Sequence, residues 1–187
     1  MWERSTVIRL VMPVFLLLIL ACGPCNLVSR EAPTPPRAIA VSTEAAQQLE
    51  SRIGQSIQGP AGQQFILRMT DQELTSLLAT ELTRYEDSPI VEPQIWFTKG
   101  KIYVTGRLVN VLPVETPIYL VASARVVDRK VVIEIEDASA GTIPLPASAL
   151  EMLSQTVSET VEEVQLDVDI TALEILEGEA ILQGTRR

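Results

Sequence analysis

Apolar positions change their period several times along this chain, and each change marks an element. Leu10–Ala21 is an almost unbroken apolar run that follows Arg4 and Arg9. From Ser42 or Thr43 the spacing turns helical, with Leu49, Ile53 and Ile57 recurring every four residues on one narrow face. Gly54 lies inside that stretch, and Gly59-Pro60-Ala61-Gly62 ends it. Phe65–Met69 reads as a short strand. Thr70-Asp71-Gln72-Glu73 then has the form of a capping box, in which the Thr70 side chain accepts from the Glu73 backbone N–H. The helix it opens carries Leu74, Leu77, Leu78 and Leu82 on one face.

From Pro93 the period becomes two. Gln94–Thr98 and Lys101–Val109 read as strands joined at the hairpin signal Lys99-Gly100. Ile102, Val104, Gly106 and Leu108 face one way, and Lys101, Tyr103, Thr105 and Arg107 the other. Thr116–Val127 and Lys130–Ala138 form the next pair, turning at Asp128-Arg129. Gly141-Thr142-Ile143-Pro144-Leu145-Pro146 is a stiff connector. A long helix follows over about Ala147–Gln165, with Leu150, Leu153, Val157, Val161 and Val164 as its apolar stripe and Glu151, Gln155 and Glu159 opposite. Val168–Ile175 and Glu179–Thr185 close the chain as a hairpin around Glu177-Gly178. The expected fold class is α+β. A curved antiparallel sheet of about six strands packs around the long C-terminal helix, with shorter N-terminal helices beside it.

The first 42 residues predict an address. A basic start, a short apolar stretch and a small residue before the break make a secretory leader. Ile19-Leu20-Ala21-Cys22 matches a bacterial lipobox, so residues 1–22 are read as a lipoprotein signal ending at Cys22, the lipidation site. Residues 23–42, with Pro33, Pro35 and Pro36, are a Pro-rich tether. Residues 43–187 are a single α+β envelope domain. An uncleaved anchor over Leu10–Val28 is the alternative, since that stretch is long enough to span a bilayer, but Pro24 and Asn26 interrupt it. Cys22-Gly23-Pro24-Cys25 also matches a thioredoxin dithiol. That site needs a preceding strand and a helix opening at the motif; here an apolar leader precedes it and a Pro-rich segment follows. Both membrane readings place the domain on the extracytoplasmic face of the bacterial cell membrane, joined through an acyl group or a helix.

Composition narrows the chemistry. The chain has no His, which removes His-based triads, most zinc sites and the usual general base at neutral pH. Cys22 and Cys25 are its two cysteines, so no disulfide staples the domain. With 24 acidic and 15 basic residues the net charge is −9, which disfavours nucleic acid as a partner. No nucleophile elbow, phosphate loop or dinucleotide fingerprint occurs. Glu134 and Glu136 on one strand face, and Asp167 and Asp169 at the foot of the last hairpin, are carboxylate pairs. Alternation on half-buried strands explains them as a solvated face better than as acid–base pairs. No catalytic residue, metal ligand or cofactor is assigned, and the chain is not read as an enzyme.

The capped early helix, the strand ending near Val104-Thr105-Gly106, the Gly141–Pro146 connector before a long helix and the closing Glu177-Gly178-Glu179-Ala180-Ile181-Leu182-Gln183-Gly184-Thr185 form a pattern of turns and glycines. Over roughly residues 65–185 it resembles the LmeA-like phospholipid-binding proteins of bacterial envelopes and the related YpmS-like proteins. The resemblance implies a fold like the tubular lipid-binding domains, with a curved sheet wrapping a helix beside an apolar groove, and a phospholipid as ligand. Trp96, Tyr103 and Tyr119 on adjacent strands, with Leu150, Leu153, Val157 and Val161 on the helix, are the candidate groove residues. The function expected is a membrane-tethered domain that binds a lipid or other apolar ligand. The alternative is an envelope protein–protein interaction module with a filled core. The oligomeric state is left open.

Overall fold

The computed structural model describes residues 38–84, 88–110, 114–164 and 168–187. The expected signal peptide with Cys22, most of the expected tether, and Asp167 lie outside the described residues. Among the described residues three helices and eight strands follow in the order α1 (Thr43–Ile57), β1 (Gln64–Thr70), α2 (Asp71–Thr83), β2 (Ile90–Thr98), β3 (Lys101–Leu108), β4 (Thr116–Val127), β5 (Lys130–Ala140), β6 (Ile143–Pro144), α3 (Ala147–Val164), β7 (Val168–Ile175) and β8 (Glu179–Arg186). The fold is α+β, with an antiparallel sheet packed against the C-terminal helix and two shorter helices before it.

The strands divide into two sheets where the sequence suggested one. β2-β3-β4-β5-β6 make a five-stranded sheet and β1-β8-β7 a three-stranded one. The early strand β1 does not join the meander. It pairs in full with the terminal strand β8, from Gln64↔Thr185 to Thr70↔Glu179. The Pro-rich connector also forms structure: Ile143 and Pro144 fold back on Ala140 and Ser139 as β6.

Local signals behave as chemistry requires. Ser42 caps α1, its side chain accepting from the Ala45 N–H. Both arms of the Thr70/Glu73 capping box are formed. Lys99 and Gly100 both take positive φ, as do Asp128 and Arg129, giving the backbone that two-residue hairpins need. Gly184 is required by contact: a Cβ there would lie 2.6 Å from the Phe65 ring and 2.8 Å from the Asp169 carbonyl oxygen. Packing also begins before α1. Ile39 is buried, and the Gln94 side-chain amide holds its backbone on both sides, at 2.9 Å from its N–H and 3.1 Å from its carbonyl.

The helix α2 departs from its apolar pattern in an informative way. Leu74, Leu77, Leu78 and Leu82 are only half-buried, whereas Asp71, Thr75 and Ser76 are buried. The reason is an edge strand. β2 pairs with β3 on one side, so the backbone groups of Ile95 and Phe97 on its other side need partners. α2 supplies them. The Phe97 N–H donates to Asp71 Oδ1 at 2.9 Å and the Ile95 N–H to Thr75 Oγ1 at 2.8 Å. Thr75 Oγ1 donates in turn to the Ile95 carbonyl at 3.1 Å.

The other side of the sheet repeats the device. Along β5 the Ile135 N–H donates to Ser154 Oγ at 2.8 Å and the Ile133 N–H to Ser158 Oγ at 3.2 Å. Ser158 Oγ returns a bond to the Ile133 carbonyl at 2.9 Å. Residues four apart on a helix rise about 6.0 Å and residues two apart on a strand about 6.6 Å, so each pair of helix side chains matches one repeat of the strand.

Replacing Thr75 with Val keeps its shape and removes the hydroxyl, leaving two backbone groups of Ile95 unpaired. Urea unfolding of Thr75→Val should show a loss of roughly 1–3 kcal/mol, while Thr75→Ser keeps most of the stability. An unchanged Val variant would contradict this account of the edge. Glu73 supplies a pH-dependent test. Burial pushes its carboxyl up, but the Thr70 N–H and the Arg52 guanidinium outweigh that and hold it below its ordinary value of 4.5. A depressed carboxylate stabilises the fold above its unfolded pKa and loses that contribution as pH falls through the folded value. The parent should therefore exceed Glu73→Gln in stability at neutral pH, and the two should converge as pH falls below 4.5. A constant gap at all pH values would rule out this titration.

Candidate functional site

Parity along the strands divides the five-stranded sheet into two faces. Trp96 lies directly opposite Tyr103, as the hairpin predicted. The two rings stack at 5.3 Å with 14° between their planes, and Tyr119 continues the row at 6.5 Å from Tyr103. Trp96 is 2% exposed, while Tyr103 and Tyr119 are half-buried. This is a cross-strand aromatic ladder.

The helix stripe lies on the opposite face. Leu153 packs with Ala122, Ile135 and Ala138, and Leu150 and Val157 join them beside Ile102, Leu120 and Ile133. Val161 reaches a second cluster with Val131, Val168 and Ile170, where the three-stranded sheet meets the end of β4 and β5. Ile102 precedes Tyr103 and Leu120 follows Tyr119, so their side chains point away from the aromatic ladder. The seven groove candidates therefore do not line one cavity. Leu150, Leu153, Val157 and Val161 come together along α3, and Trp96, Tyr103 and Tyr119 form a separate row behind the sheet.

The α3 side contains residues that the initial set omitted. Ile102, Val104, Ile118 and Leu120 are half-buried on it, neighbours across β3 and β4 through the pairs Val104↔Leu120 and Gly106↔Ile118. Alternation identified this face, but not that α3 would cover it. A β-bulge between Val121 and Ala122 shifts the register against β5, so that Ala138 as well as Ile135 falls beneath Leu153. The small Ala122 and Ala138 admit the Leu153 side chain. α3 thus lies close along β5, with the half-buried apolar row of β3 and β4 beside it.

Glu136 and Asp169 sit in ion pairs. Glu136 bonds Lys101, which holds its carboxyl below the usual range, against a weaker opposing effect of burial. A general acid requires the reverse shift. Asp169 lies between Arg187, 2.7 Å from one carboxylate oxygen, and Arg129, 3.0 Å from the other. Arg187 first, then Arg129, keeps it below the usual carboxylate range. Glu134 is exposed. A concavity of about 550 Å³ lies along α1, lined by Glu44, Gln47, Gln48, Ser51 and Arg52. Its lining residues are all polar or charged. No described helix is long and apolar enough to cross a membrane.

No protein-family model matches the chain, and no curated protein matches it. The likeness to LmeA-like and YpmS-like proteins therefore rests on the turns and glycines named above.

Proposed function

We propose that this chain is a membrane-tethered domain of the bacterial envelope that holds an apolar chain, such as a lipid acyl group, on the α3 side of its five-stranded sheet. The observation that supports this is the half-buried row Ile102, Val104, Ile118 and Leu120 beside Leu150 and Val157. Incompletely covered apolar surface next to a helix is where an acyl chain gains most from leaving water. The Trp96–Tyr103–Tyr119 row is not part of this site, because it lies on the other face. The ligand's polar end would remain in solvent.

A second reading has its own support. Leu153 is 9% exposed, and Ser154 and Ser158 fix α3 to β5. A sheet and helix closed in this way suit a filled core and a domain that works through its outer surface.

Val157→Phe separates the two. In an open trough the ring occupies ligand space: stability should stay within about 1 kcal/mol of the parent, while lipid in an organic extract of the purified protein falls. In a filled core the ring overpacks, at a cost of roughly 1–3 kcal/mol. A destabilised Phe variant, together with a parent that carries no lipid, overturns the lipid reading. The proposed address has a separate test. Cys22→Ser should abolish fatty-acyl labelling and block leader cleavage at that position, and Cys25→Ser should leave both intact. Full labelling of the Cys22→Ser variant would exclude a lipobox at Cys22.

A further inference from the structure

The strand edges of this domain are treated unequally. β2 is closed by Asp71 and Thr75, and the Gly178 N–H covers the Phe97 carbonyl at 3.0 Å. β5 is closed by Ser154, Ser158 and the short β6. β7 is tied at one point, the Ile170 N–H donating to the Arg129 carbonyl at 2.8 Å. β1 differs. The Asp71 N–H donates to the Gly178 carbonyl, which fixes the alternation of the β1–β8 ladder. Odd-numbered residues of β1 bond to β8, and Gln64, Ile66, Arg68 and Thr70 direct their backbone groups outward. Thr70 agrees with this phase, since its N–H is taken by Glu73 at 2.9 Å. Among the described residues no group outside the ladder bonds the backbone of Ile66 or Arg68. α1 packs beside β1 and is fastened by Arg52 to Glu73 and by the Ser56 carbonyl to Arg186, and none of its groups hydrogen-bonds the backbone of Ile66 or Arg68.

β1 also lacks the features that discourage pairing. It has no proline and no bulge, and its central Ile66 is 65% exposed. Its one charge, Arg68, already faces Glu179 at 3.6 Å. We propose that this edge pairs with the same edge of a second copy of the chain, antiparallel about Ile66. A two-fold axis there sets Ile66 against Ile66 of the second copy, in a pair that exchanges both N–H···O bonds. It sets Gln64 of each copy beside Arg68 of the other, with the same bonding phase on both sides. The two Arg68 side chains then lie ~13 Å apart along the strands, so no like charges oppose one another. The result joins two three-stranded sheets into one of six strands. It leaves the α3 side of the five-stranded sheet uninvolved and holds whether or not that side carries a lipid. Self-pairing must overcome repulsion between two chains of net charge −9, so added salt should promote it.

The test uses the full chain purified from membranes in detergent, followed by sedimentation velocity from micromolar to millimolar protein. The parent should dimerise, more tightly at higher salt. Ile66→Lys places two ammonium groups together at the axis and should yield monomer, with an unfolding midpoint like the parent's at concentrations where both are monomeric, because the site is exposed. Gln64→Glu puts a carboxylate beside Arg68 at both ends and should tighten the dimer roughly two- to tenfold. Gln64→Lys should weaken it to a similar extent. A parent that stays monomeric throughout, or a dimer unaffected by Ile66→Lys, overturns the proposal. Cysteine placed at position 66 of a Cys25→Ser chain gives a second reading in intact membranes. A disulfide between two copies supports self-pairing, and capture of a different protein in its place assigns the edge to another strand and overturns it.

Discussion

The arrangement depends on backbone hydrogen bonding at the two rims of the five-stranded sheet. A buried N–H or carbonyl without a partner costs about as much as a good contact contributes, so a meander with two open sides is not stable by apolar packing alone. Asp71 and Thr75 on α2, and Ser154 and Ser158 on α3, satisfy the outward groups of Ile95, Phe97, Ile133 and Ile135. In doing so they fix where both helices lie. A helix held at hydroxyl-to-backbone distance from an edge strand must run along that rim, because its polar side is committed there. The apolar stripe of α3 then reaches only the part of the sheet nearest β5.

The same joint connects the two sheets. Asp71 receives the Phe97 N–H, and its own N–H goes to the Gly178 carbonyl in the β7–β8 turn. Gly178 returns its N–H to the Phe97 carbonyl, and Glu177 accepts from the Thr98 hydroxyl at 2.6 Å. One residue at the first position of α2, through its carboxylate and its backbone N–H, thus ties β2, α2 and the terminal hairpin together. The second contact between the sheets joins an apolar cluster, where Phe65, Leu173 and Leu182 meet Val126, Val131 and Ile133, to the Ile170–Arg129 backbone bond and the Arg129–Asp169 ion pair. Directional bonds at both ends, with the cluster beside the second, fix the angle between the sheets.

Much of the element order was legible because period two and period four leave different marks. The hairpins at Lys99-Gly100 and Asp128-Arg129, the capping box and the long stripe from Leu150 all follow from spacing or turn chemistry. The division into two sheets did not, because nothing in Phe65–Met69 indicates that its partners lie at the far end of the chain, from Gly184 opposite Phe65 to Ala180 opposite Met69. The rim hydroxyls were also invisible. Ser154 and Ser158 alternate with a Leu/Val stripe in the same way as solvent-facing serines, and Asp71 and Thr75 look like ordinary first-turn residues. Their roles exist only once an edge strand lies beside them. The candidate groove failed as a single site for a related reason. Parity correctly put Trp96 and Tyr103 together, but it could not say which face α3 would take.

That choice of face bears on function. Held at the β5 rim by Ser154 and Ser158, α3 covers Ile133, Ile135 and Ala138 and leaves Ile102, Val104, Ile118 and Leu120 half-buried beside it. The two goals of stabilising the sheet and sealing its apolar face conflict, since a helix centred on the face could not reach the edge backbone. The sequence resolves the conflict in favour of the rim. Half-buried apolar surface beside α3 is then a consequence of edge closure, and under the proposed lipid reading an acyl chain would lie on it without any loosening of the core around Leu153. This separates stability from binding along one helix: Ser154, Ser158 and Leu153 fasten it, while Leu150 and Val157 face the surface on which a ligand would lie.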